Sequence, residues 1–294
     1  MKVLLTGSAG QLGQELLASR PEAFELIATR RGGGEGMLAL DLADAEACKQ
    51  MVQTHRPDWV VNAGAYTAVD RAESEPDVAQ AVNAGAPAAF AEALLETGGH
   101  LLQLSTDFVF SGQQGYPYHV YQQRTPLCTY GKSKAQGEEA VEQLLGTSRS
   151  TILRTSWVYG PVGRNFLLTM LRLHRERDQL SVVADQVGCP TSTYGLAQAC
   201  WAVISRTIVG HHHWSDAGAA SWYDFAVAIG ELAMSKGLLQ KAARVNPITT
   251  AEYPTPAVRP SYSLLDCSVT RQELGLAACH WRRALAQVIV NVEG

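Results

Sequence analysis

Short apolar runs alternate with amphipathic stretches of ten or more residues through the first half of the chain, the pattern of βαβ units that build a parallel sheet. The runs Lys2–Thr6, Glu25–Thr29, Met37–Leu40, Trp59–Ala63, His100–Ser105 and Thr151–Thr155 read as six strands. Apolar positions at helical spacing predict helices over Gln11–Ser19, Ala45–His55, Pro76–Ala84 and Pro87–Glu96, with a long helix after Tyr130. The second half is less regular. Asn165–Glu176, Gly195–Ser205 and Trp222–Lys236 carry helical patterns, while Val187–Thr193 and Tyr253–Pro260, rich in Pro and Gly, read as loops. The expectation is an α/β fold: a Rossmann-type doubly wound parallel sheet over residues 1–160, with later segments returning to the sheet. A smaller, mainly helical substrate-binding region would occupy 161–294, and a cleft between the two is the expected ligand site.

Composition narrows the function. Apolar residues are 46% of the 294 and charged residues 18%, which excludes a disordered chain. The net charge of -4, with no basic block, argues against nucleic acid as a partner. No run approaches the ~18 apolar residues of a membrane span, and the apolar run at the N-terminus is too short for a secretion signal. Six cysteines without a CxxC pair suggest reduced thiols rather than zinc or disulfides. His211, His212 and His213 adjoin one another on an expected strand, where neighbours point to opposite faces and cannot all chelate one ion. A cytoplasmic protein with no membrane partner and no metal site is expected.

Gly7, Gly10 and Gly13 follow the first strand directly and open the first helix. Glycine there permits a tight turn and close approach of backbone N–H groups to a pyrophosphate, with the helix N-terminus adding partial positive charge. The spacing is GxxGxxG, and the acid that would bind a ribose 2′-OH after strand two is replaced by Arg30 and Arg31. Arginines suit a 2′-phosphate, so NADPH is the expected cofactor and NADH the alternative.

Tyr130 and Lys134 stand at i and i+4 on one helix face, and Thr106 lies at the carboxyl end of strand five, where open α/β sheets bind ligands. An ammonium near a phenol favours the phenolate, so Lys134 is expected to lower the pKa of Tyr130 and make it a usable proton donor. Thr106 is placed to hold a carbonyl oxygen beside it.

This assembly resembles the extended short-chain dehydrogenase/reductase family. The resemblance covers nearly the whole chain, through LLTGSAGQLG (4–13), RPDWVVNAGAYTAVDRAESEP (56–76), STDFVFSG (105–112), YGKSKAQGE (130–138) and RTSWVYG (154–160). NFLLTMLRL (165–173), DQVGCPTST (185–193), SWYDFA (221–226) and YPTPAVRPSYSLLD (253–266) discriminate further within the family. They are similar to its members that reduce the 4-keto group of a dTDP-activated 6-deoxyhexose. The resemblance implies Thr106, Tyr130 and Lys134 as the catalytic set, with Gly7, Gly10, Gln11, Leu12 and Gly13 around the pyrophosphate. It further implies Asp41 and Leu42 beside the adenine, and Ala63, Gly64, Ala65 and Tyr66 along the cofactor channel, with Lys134 also on the nicotinamide ribose. Val69, Asp70, Thr106, Trp157, Asn165 and Arg259 match substrate-cleft positions, Arg259 offering a fork to the diphosphate; Trp157 reads equally as core, and Trp222 reads as helix packing. Some members bridge two subunits through a metal held partly by an acid after the PT pair. Here Tyr194 stands at that place, although Glu15 is kept, so a monomer or a homodimer without a metal bridge is expected. The alternatives are another sugar-nucleotide epimerase or dehydratase, or a non-catalytic regulator of methionine adenosyltransferase type. Phe108, where dehydratases carry an acid, argues against elimination.

Overall fold

The computed structural model describes residues 1–292. Its frame is a sheet of seven parallel strands: β1 (Lys2–Thr6), β2 (Glu25–Arg30), β3 (Leu38–Ala39), β4 (Trp59–Asn62), β5 (His100–Thr106), β6 (Ser150–Thr155) and β7 (Gly210–His213). They lie in the order β7-β6-β5-β4-β1-β2-β3. The order reverses between β1 and β4, which opens a crevice beyond their carboxyl ends.

Side chains alternate across the strands. Val3 and Leu5 pack with Leu12 and Leu16 of the helix Gln11–Ala18 and with Leu196 and Val203 of the helix Thr193–Arg206. Leu4, Val60 and Leu101 face the other way, onto the helices Ala45–His55, Ala86–Thr97 and Thr129–Leu145. Both faces are therefore covered, as an all-parallel sheet requires. Within the sheet, Thr6 Oγ1 donates to Asn62 Oδ1 at 2.6 Å and Asn62 Nδ2 to Gln103 Oε1 at 2.8 Å. This polar row runs along the registers Thr6↔Asn62 and Asn62↔Gln103, next to the carboxyl ends.

The second half both rejoins the sheet and builds a separate core. The helix Thr193–Arg206 and β7 complete the sheet and one of its faces. The helices Phe166–Glu176, Trp222–Ser235 and Trp281–Val288 pack around Phe225, Ile229 and Leu285. That core is less purely helical than the sequence suggests, because Gln179–Val183 pairs in parallel with Arg244–Ile248. Gln179–Val183 alternates over too few residues to announce a strand by itself, and Arg244–Ile248 carries Pro247 within it. Val187–Thr193, expected as a loop, contains two short paired segments and the first residue of a helix capped by Ser192. The expected helix Pro76–Ala84 divides into Pro76–Gln80 and a π-turn, Ala81–Gly85.

The long helix is fixed by a buried ion pair. Glu138, wholly buried, receives Nη2 of Arg154 at 2.7 Å, Nη1 of Arg124 at 3.0 Å and the hydroxyl of Ser105. Burial works to raise the Glu138 pKa, but Arg154 and its companions hold it below the ordinary value. Its stabilising contribution is complete above the unfolded pKa of about 4.3 and is lost as pH falls through the lower folded value. Glu138→Ala leaves Arg154 buried without its anion and should cost about 3–5 kcal/mol. Urea unfolding at neutral pH checks this through a lower midpoint at unchanged slope.

Candidate active site

The glycine loop sits at the point where strand order reverses. Gly7 has φ 66°, and a Cβ there would lie 2.6 Å from Gly64 Cα. A Cβ on Gly13 would lie 2.2 Å from the Gly7 carbonyl oxygen. Only glycine permits backbone to pack this closely. The helix that follows begins after Gly10 with no side-chain cap, leaving its first amides without a side-chain partner. Leu12 is buried in the core, so it can contribute its amide and not its side chain. Gln11 donates to Val158 O at 3.0 Å and accepts from Asn165 at 3.2 Å, which ties the loop to the second half.

Around this crevice the structure brings together most of the cofactor positions. Arg30 closes β2, held by Gly33 O and by Glu35 at 3.1 Å, and Arg31 reaches Asp41 at 3.5 Å. The Leu42 side chain reaches Gly64, which lies just beyond β4 with Ala63, Ala65 and Tyr66. Tyr66 is fastened by Asn83, whose side chain accepts from Tyr66 N at 2.9 Å and donates to Tyr66 O and to Ser133 Oγ, each at 3.0 Å. Asn83 lies in the π-turn, so the widened turn links the crevice to the long helix. Nothing in its sequence neighbourhood signals this.

Thr106 ends β5, and its hydroxyl accepts from Phe108 N at 3.2 Å and stands 3.0 Å from Asp107 Oδ1. Tyr130 packs with Cys128, Ala72 and Ala257, against Tyr66, Val69 and the edge of Phe108. Lys134 is buried one turn on and donates from Nζ to Leu104 O at 2.6 Å. Burial brings Lys134 down to about 8, opposed by Glu138, one further turn along the same face. The expectation that Lys134 lowers the Tyr130 pKa does not hold in this structure. Burial raises it, the Thr106 hydroxyl opposes and Asp107 adds to the rise, while the Lys134 ammonium is engaged by a backbone carbonyl.

The substrate positions behave unequally. Asp70 and Arg259 form a two-pronged pair, Nη1–Oδ1 3.0 Å and Nη2–Oδ2 2.8 Å, and Arg259 holds the Asp70 carboxyl below its usual range. The guanidinium fork expected for a diphosphate therefore has a partner within the chain. Asn165 caps the helix Phe166–Glu176, accepting from Leu168 N and donating to Gly160 O at 2.9 Å. Its amide holds structure and does not reach out as a free hydrogen-bonding arm. Trp157 takes the left-handed φ of 47° and stacks on Trp222 at 3.6 Å. Trp222, which sequence pattern assigns to helix packing, is half-buried and lines a cleft of about 510 Å³ with Met170, Leu173, Leu180, Val182 and Arg259. Among the described residues no cluster of His, Cys, Asp or Glu could hold a metal ion.

A family model described as the RmlD substrate binding domain matches residues 1–293. The chain belongs to that family. It is 38% identical over 300 residues to dTDP-4-dehydrorhamnose reductase of Aggregatibacter actinomycetemcomitans, with 99% of each chain covered. A crystal structure of a dTDP-4-dehydrorhamnose reductase from Clostridium acetobutylicum superposes with a TM-score of 0.90 at 36% identity, covering 99% of both chains. The Bacillus anthracis dTDP-4-dehydrorhamnose reductase in complex with NADP gives 0.89 at 34%, again over 99% of both. A UDP-glucose 4-epimerase from Thermus thermophilus, 20% identical with a TM-score of 0.79, shares the fold.

Family membership does not by itself explain why the glycines stand where they do; the contacts of this chain do. Gly13→Ala forces a methyl group against the Gly7 carbonyl and should destabilise by about 1–3 kcal/mol, the usual cost of overpacking. A lower melting temperature followed by circular dichroism is the expected outcome, and an unchanged one would show that the loop can yield.

Proposed function

We propose that this chain is an NADPH-dependent oxidoreductase that reduces the 4-keto group of dTDP-4-dehydro-L-rhamnose to give dTDP-L-rhamnose for cell-surface polysaccharide synthesis. The observation that carries the reading is the meeting of Thr106, Tyr130 and Lys134 at the carboxyl end of β5, beside the glycine crevice. Full-length relatives named as reductases support it. The crevice fits the cofactor: uncapped amides at Gln11–Gly13 suit a pyrophosphate, and Arg30 and Arg31 beyond β2 suit a 2′-phosphate. The crevice within residues 1–160 would hold that cofactor, and the cleft beside Trp222 and Arg259 would take the nucleotide sugar.

When bound, NADPH supplies the hydride. The chain's own groups handle the oxygen: Thr106 hydrogen-bonds it as negative charge develops, and the Tyr130 phenol gives it a proton. Lys134, its charge supported by Glu138 and its Nζ held by Leu104 O, would bind the nicotinamide ribose. A dehydratase would need an acid where Phe108 packs its ring on Tyr130. A monomer or a homodimer without a metal bridge is in keeping with Tyr194 after the PT pair. No helix among the described residues is long and apolar enough to cross a membrane, and unpaired cysteines favour the cytoplasm.

Tyr130→Phe should lower kcat by about 10²–10⁴ with little change in NADPH affinity, since the ring is retained. Loss of NADPH absorbance with the dTDP-4-keto sugar generated in situ measures turnover, and near-normal turnover in a folded variant would refute the assignment. Replacing Arg30 and Arg31 together with Ala should weaken NADPH roughly tenfold or more and spare NADH, because charged hydrogen bonds contribute about 1.5–3 kcal/mol each. Equal losses for both cofactors, read by fluorescence titration, would remove the 2′-phosphate contact.

A further inference from the structure

Two buried carboxyls flank the catalytic groups, and the chain treats them in opposite ways. Glu138 is given two arginines and a serine. Asp107, 1% exposed, is given no cation among the described residues, and its Oδ2 is buried without a hydrogen-bond partner. The groups that face it are the Tyr130 phenol from the long helix, the Ser263 hydroxyl from the C-terminal segment, and Thr106 and the Phe108 amide on its own segment. A carboxyl buried under those conditions gives up its proton less readily than one in water. Burial accordingly pushes Asp107 up to about 6, with the Ser263 and Thr106 hydroxyls opposing.

The hydroxyl of Thr106 has one proton to give and two lone pairs to fill. Phe108 N–H takes one lone pair at 3.2 Å. Were Asp107 ionised, the single Thr106 proton would go to Oδ1, 3.0 Å away, and none would remain for a substrate oxygen. With Asp107 neutral, its carboxyl O–H fills the second lone pair and leaves the Thr106 proton to point outward, toward the side where Tyr130 lies. We propose that Asp107 is a positioning residue for the reduction, acting as a neutral acid that donates to Thr106 and so directs the Thr106 proton to the substrate oxygen. Its proton stays in place through the cycle. The inference rests on the roles given above to Thr106 and Tyr130.

The test is the pH profile of kcat at saturating NADPH and sugar nucleotide for the parent, Asp107→Asn and Asp107→Leu. The parent should lose about tenfold per pH unit above the Asp107 pKa of the complex, as a single titrating proton requires. Asp107→Asn, which keeps an uncharged N–H donor, should retain most of the maximal kcat and lack that limb. Asp107→Leu should lose roughly tenfold or more in kcat with KM little changed, since the contact is used in the transition state. A folded Asn variant that keeps the parent's limb, or a Leu variant with normal kcat, overturns the proposal. If neither variant folds, carbon NMR of the Asp107 carboxyl in the parent bound to NADP⁺ and dTDP-L-rhamnose decides. A group mainly protonated at the pH of maximal kcat is expected, and one mainly ionised there overturns the proposal. Thr106→Val and Tyr130→Phe, measured alongside, separate the two claims. If both keep turnover, the catalytic assignment falls. If both lose it while Asp107→Asn keeps the limb, only the role of Asp107 falls.

Discussion

Glu138 meets Arg154 through Nε at 2.9 Å and Nη2 at 2.7 Å in a wholly buried contact, and the placement of the catalytic groups depends on it. Arg154 belongs to β6, Ser105 to β5 and Glu138 to the long helix, so one carboxylate clamps that helix to two strands. Tyr130, Lys134 and Glu138 recur every four residues along a single face. Fixing the third at depth therefore fixes the rotation of the first two above the end of β5. An ion pair this deep is a poor source of net stability, but breaking it is costly, and that asymmetry makes it a register device.

The same helix is anchored a second time, by hydrogen bonds that carry no charge. Asn83 in the π-turn reaches both Tyr66 and Ser133, so the strand-end segment beyond β4 cannot move independently of the catalytic helix. Behind it, Thr6, Asn62 and Gln103 satisfy one another across three strands. A polar interior of this kind holds its shape only when each partner is satisfied. The bare Oδ2 of Asp107 contrasts with the carboxylate of Glu138, which shows how thoroughly a buried acid can be compensated.

Besides the strand and helix that the second half adds to the sheet, directional side-chain contacts couple the two halves near the site. Gln11 joins the glycine loop to Val158 and Asn165, and Asp70 joins the helix after β4 to Arg259 in the C-terminal loop. Both contacts cross the crevice, so a ligand lying in it meets groups whose positions already depend on each other. The Trp157–Trp222 stack adds a rigid wall at the far end, where the left-handed backbone at Trp157 costs conformational energy that the stack helps to offset.

Strand and helix periodicity made β1, β2, β4, β5 and β6 legible to within a residue or so, together with the helices Ala45–His55 and Phe166–Glu176. The glycine spacing and the Tyr130–Lys134 interval were legible as well. These are local features: a side-chain period of two or 3.6, a turn that needs glycine, a pair one helical turn apart. The sequence alone did not disclose the pairing of Gln179–Val183 with Arg244–Ile248, whose partners lie some sixty residues apart and whose patterns are ambiguous singly. Nor did it disclose the clamp made by Asn83, the capping role of Asn165, the engagement of Arg259 by Asp70, or the direction of the Tyr130 pKa. Each of those depends on which groups share a buried space and what solvent is excluded from it. What a residue is and how it repeats determines the elements; whether its charge and hydrogen bonds are free to act is decided only when distant segments close around it.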